Sequence, residues 1–74
     1  MKRAIILDYS DNSIVILPIP DEIYEKGQED DYVQSHPAYD SQECDYMISG
    51  EETDVYEVIG EEDGKATYEF NGRI

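Results

Sequence analysis

Carboxylates are the only reactive side chains this 74-residue sequence holds in number: nineteen Asp and Glu against five Lys and Arg, one His and one Cys. Thirteen of them fall between Gly27 and Gly64, a stretch without a single Lys or Arg. Two chemistries draw on carboxylates, and a third on the lone Cys and His. Two carboxyl groups across a cleft can hydrolyse a glycosidic bond. Oxygen ligands at alternating loop positions can hold Ca²⁺. A cysteine beside a histidine can act as a nucleophile.

Each chemistry asks for more than the sequence supplies. Nineteen acids form many pairs by chance, and a chain this short has little volume for both a core and a cleft of several hundred cubic ångströms. The acid-bearing turns DYSDNS (Asp8 to Ser13) and GEEDGK (Gly60 to Lys65) lack the spacing of a calcium loop. Zinc needs clustered Cys and His, and one of each is not a cluster. The remaining pair is His36 and Cys44, but Glu43 and Asp45 flank the thiol where a cysteine nucleophile needs positive charge. The sequence therefore reads as a non-enzyme with no cofactor and no dedicated metal site.

A net charge of −14 argues against direct contact with nucleic acid or anionic lipid, whose phosphates would repel it. A lone cysteine cannot form an internal disulfide and fits a reducing compartment. The opening MKRAIILDYSD has a basic pair, but its apolar run of Ala4 to Leu7 is too short for a signal peptide. No segment approaches the roughly 20 apolar residues of a membrane span. The expected setting is the cytoplasm. The length allows one domain, residues 1–74, which buries only about 60% of its unfolded surface.

The elements that must position these groups follow from local pattern. Ala4 to Tyr9 and Ser13 to Ile19 are β-branched runs separated by SDN, a hairpin signal. Both are nearly continuous in apolar character, which suits strands at the centre of a sheet. Pro18 and Pro20 end the second strand. The segment from Asp21 to His36 reads as one interrupted helix or two short ones, with Gly27 between and Pro37 closing it. Three further strands follow, Cys44 to Ser49, Asp54 to Ile59 and Lys65 to Asn71, separated by GEET and GEEDG turns. The expected fold is α+β, order ββαβββ, a small single-sheet sandwich with the N-terminal hairpin central and the helix on one face.

The opening AIILDYSDNSIVILPIPDE, with CDYMIS some two dozen residues later, resembles small uncharacterised acidic proteins of Bacteroides-group bacteria and their phages or mobile elements. The resemblance covers about the first fifty residues. It implies a bacterial or phage cytoplasm and leaves function open.

The acidic surface is then the one pointer to function. Solubility alone is served by about 2–8 net charges on a domain of this size, so the exclusion of bases from the middle of the chain calls for another explanation. A basic protein partner, of the kind that binds nucleic acid, supplies one: carboxylates on rigid elements can imitate a phosphate track. The candidate partner-binding residues are Glu29, Asp30 and Asp31 on the helix, Glu51, Glu52, Asp54, Tyr56 and Glu57 around the fourth strand, and Glu61, Glu62 and Asp63 in the last turn. Seven of eight aromatics are Tyr, a residue common at interfaces. Tyr24, Tyr39 and Tyr56 read as exposed, Tyr46 and Tyr68 as core. The alternative is a structural domain with no dedicated acidic site that forms a homodimer through a strand edge.

Overall fold

The computed structural model describes residues 1–74. It is an α+β protein whose order is β1 (Lys2–Asp8), β2 (Ser13–Ile19), α1 (Asp21–Glu25), α2 (Glu29–Ser35), β3 (Cys44–Ser49), β4 (Asp54–Glu62) and β5 (Lys65–Arg73). The five strands form two sheets rather than the single sheet expected. One is three-stranded in the order β2-β1-β3, and the other is the β4-β5 hairpin alone.

In the first sheet both pairings are antiparallel, and β1 is central while β2 is an edge. The hairpin turn is tied by Asp8, whose Oδ1 accepts from the Ser10 amide and hydroxyl and from the Asp11 amide. Asn12 completes it with a φ of 53°, a left-handed conformation that Asn tolerates. Register places Ala4 and Ile6 of β1 beside Leu17 and Val15 of β2 and beside Ile48 and Tyr46 of β3. These residues line the face that meets the helices. The opposite face carries Ile5 and Leu7 beside Ile16, Ile14, Met47 and Asp45.

Gly27 divides residues 21–36 into two helices. At a φ of 68° it reverses the chain, its amide bonding Tyr24 O at 3.0 Å while the Gln28 amide reaches Ile23 O at 3.1 Å. That double closure is a Schellman motif, which glycine alone adopts at low cost. His36, extended ahead of Pro37, ends α2. Val33, fully buried, is the one enclosed residue of α2 and joins Ala4, Ile6, Leu17, Ile19 and Cys44 in the core. Ile23, Tyr32, Tyr39 and Tyr46 pack around it.

β4 and β5 leave this body as an arm. β4 runs three residues further than the sequence indicates, because Asp63 and Gly64 make the whole turn with φ values of 52° and 77°. β5 runs two residues further at its other end, where Arg73 pairs with Asp54. An Asp-Gly pair with both φ positive is a two-residue hairpin turn, so the ladder runs on through Glu62 and Lys65. One bulge falls at Ile59 and a second near Gly72. The molecule measures 43 × 27 × 20 Å, with a radius of gyration of 14.8 Å. A compact chain of this length would give about 11 Å, and the projecting arm accounts for the excess.

Candidate interaction surface

The acidic candidates divide among three places. On α2, Glu29 is half-buried with Oε2 enclosed and unpartnered, so it is not part of an exposed acidic face. Asp30 accepts a hydrogen bond from the Tyr46 hydroxyl at 2.8 Å, tying α2 to β3. That bond holds the Tyr46 phenol above its ordinary range. Asp31 is exposed on the same turn.

Glu51, Glu52 and Asp54 surround the root of the arm, and each already has a cation. The Met1 ammonium donates to Glu51 at 2.9 Å. This bond holds the Glu51 carboxyl below the usual range and raises the ammonium. Arg73 donates to Asp54 at 2.9 Å and stands 3.5 Å from Glu52. All are surface pairs of small energy, but they remove these three acids from the free negative surface.

The arm carries the rest. Residues directly opposite in an antiparallel ladder share a face, so the register separates the arm into two unlike surfaces. Glu57 stands opposite Glu69 and Glu62 opposite Lys65, with Thr67 between, on one face. Tyr56 stands opposite Phe70 and Val58 opposite Tyr68 on the other, the rings meeting edge to face at 5.8 Å for Tyr56–Phe70 and 6.4 Å for Tyr56–Tyr68. Asp63 occupies the tip, and Glu61 lies beside Ala66 where the apolar face ends. Glu57, Glu62 and Asp63 thus come together on or beside one face, while the α2 and root acids do not join them.

Two residues escaped sequence reasoning. Glu69 belongs to the acidic face, a placement implied by its alternation with Tyr68 and Phe70. Tyr68 is not core but one of the most exposed aromatic side chains, because nothing packs on the arm's apolar face. Tyr56 and Tyr24 are exposed, whereas Tyr39 is half-buried against Tyr46 with ring centres 5.2 Å apart.

The other candidate chemistries are occupied structurally. Cys44 is buried in the core, and His36 Nδ1 accepts the Ala38 amide at 3.0 Å beside the Tyr32 ring. No three His, Cys, Asp or Glu side chains converge on a point that could hold a metal ion. No helix is long and apolar enough to cross a membrane. No protein-family model matches the chain, and searches of curated proteins and of solved structures found no match either.

Proposed function

We propose that this protein is a non-catalytic interaction module whose arm presents an acidic face to a basic protein partner, one built to bind nucleic acid. The observation that carries the reading is the pairing of Glu57 with Glu69. Like charges directly opposite on a ladder destabilise it, by about 0.2–1 kcal/mol per pair. The hairpin is already specified by its Asp-Gly turn, so the fold does not need two acids there. Same-face positions recur about 6.5–7 Å apart along a strand, so the ladder sets Glu57 and Glu62 on one face two such steps apart, with Glu69 directly across from Glu57. A surface shaped for phosphates would engage them by charge pairing, with release of counterions. The resemblance of the first fifty residues agrees with a bacterial or phage setting for such a module, where blocking a nucleic-acid-binding protein is a useful activity.

The test is capture at physiological salt on immobilised protein, beside a Glu57→Lys/Glu69→Lys variant. Glu51, Glu52 and Asp54 are unsuitable control positions because they hold Met1 and Arg73 at the arm root. The expected partner is a nucleic-acid-binding protein that leaves as salt rises, is displaced by competing DNA or RNA, and ignores the variant. Capture that persists in the variant, or that nucleic acid does not displace, rejects the reading.

A further inference from the structure

The molecule leaves two apolar sheet faces largely uncovered, Ile5 at the centre of one being the buried exception. On the arm, Tyr56, Val58, Tyr68 and Phe70 are between 51% and 63% exposed. On the outer face of the three-stranded sheet, Leu7, Ile14, Ile16 and Met47 are between 36% and 58% exposed. Contiguous apolar patches beyond a few hundred Å² mark interaction sites on soluble proteins. A two-stranded hairpin is also marginal in water without something packed against it. Within the chain the arm meets the body chiefly at its root, through Arg3, and packs little against the sheet.

We propose that the protein forms a symmetric dimer in which the arm of each copy lies, apolar side down, across the outer sheet face of its partner. The occupant is a second copy for three reasons. First, area: aromatic side chains bury 150–250 Å² each, so half-exposed faces of this size, two of each kind, cover on the order of 1,500 Å² in total, the size of a stable interface. Second, closure: arm-on-arm and sheet-on-sheet contacts would be two separate interfaces and would join copies into assemblies larger than a dimer. A reciprocal arm-on-sheet contact covers both faces with one closed arrangement. Third, charge: the chain carries −14, yet the eight side chains named on these faces carry none. Asp45 and Glu61 stand only at the ends of these faces, so a basic partner would find few acids there, whereas a like-charged copy meets least repulsion on that side. Seated this way, Glu57 and Glu69 face outward.

The 74-residue chain at micromolar concentration, measured by sedimentation, is expected at twice its 8.5 kDa mass. Association should tighten as salt rises, because salt screens repulsion between the copies. That is opposite to the salt response of the acidic face, so the two readings fail separately. Tyr68→Lys on the arm and Met47→Lys on the sheet should each weaken the dimer at least tenfold. Circular dichroism checks that the body remains folded. Both side chains are exposed in the single chain, so a purely structural role would leave association unchanged.

Cross-linking fixes the arrangement. In a Cys44→Ala background, a mixture of Tyr68→Cys and Met47→Cys chains should join through a short bismaleimide into a heterodimer, and neither should join alone. A monomer at 100 μM, cross-linking of Tyr68→Cys chains to one another, or a heterogeneous ladder of larger species would each overturn the proposal.

Discussion

The Arg3 guanidinium donates from Nη2 to the carbonyl oxygen of Ile74 at 2.6 Å, joining the second residue of β1 to the residue after β5. The same side chain donates from Nε to Gly50 O at 3.0 Å and reaches Thr53 Oγ1 at 3.4 Å. Thr53 and Ile74 exchange two backbone hydrogen bonds of 2.9 Å each. One half-buried cation therefore clamps both strands of the arm to the sheet. Hydrogen bonds to charged groups contribute about 1.5–3 kcal/mol. Arg3→Ala should cost near the lower end, and its effect should be local. Hydrogen exchange is expected to quicken across residues 54–73 while the amides of β1 and β2 keep their protection. Uniform acceleration would show that Arg3 supports the body instead. Arg3→Lys should recover only part of the loss, since an ammonium lacks the fork that reaches three oxygens.

Asp8 sets the first hairpin through its acceptor bonds. The Ser10 hydroxyl, and then the Asp11 and Ser10 amides, hold its carboxyl below the usual range. A carboxylate with a depressed folded value adds stability above its unfolded pKa of about 3.9 and loses it as pH falls through the folded value. Asp8→Ala should therefore melt below the wild type at pH 7, and the gap should narrow below pH 4. Asp8→Asn should lie between the two, because its amide oxygen can still accept from the turn. A gap that does not vary with pH would remove the charge from this explanation.

Two phenols should ionise late. Tyr9 donates to Asp45 and Tyr46 to Asp30, and in each case the hydrogen bond to the carboxylate raises the phenol above its usual range. The contribution of each is present below the unfolded value of about 10 and disappears as pH rises through the folded one. Ultraviolet titration should show these two phenols as late steps, and Tyr9→Phe and Tyr46→Phe should each delete one. Tyr46→Phe should also cost about 1 kcal/mol, since its hydroxyl accepts from Gln34 as well and bridges α2 to β3.

Opposition of Glu57 and Glu69 makes a prediction that separates stability from binding. Glu57→Lys replaces a repulsive cross-strand pair with an attractive one, so the arm should gain about 0.5 kcal/mol or more. The gain should shrink at high salt, where the Debye length falls to about 3 Å at 1 M. The wild type should itself melt higher as salt is added. A variant that is more stable yet no longer captures a basic partner would place the acids in recognition. No gain in stability would mean that the pair is already screened by water.

The body of the fold was legible because its signals are local. Ser13 to Ile19 and Cys44 to Ser49 are strands with those bounds, since continuous β-branched or alternating runs end at turn residues. The arm was less legible. Reading GEEDG as one long turn shortened β4, when Asp63 and Gly64 suffice. That error concealed the register, and with it the opposition of Glu57 to Glu69. Tyr68 was misplaced for a related reason: alternation tells that a strand has two unlike faces, but not whether anything covers the apolar one.

By itself, the sequence determined the α+β class, the β1-β2 hairpin, the break at Gly27 and the excess of negative charge. Each follows from covalent geometry, short-range sterics or counting. Only the tertiary structure decided that β4 and β5 pair with each other alone, that Arg3 holds them to the body, and that acids and aromatics separate onto opposite faces of the arm. Backbone hydrogen bonds are alike on every strand edge, so a local pattern names a strand without naming its neighbour. That choice belongs to contacts between residues far apart in the chain.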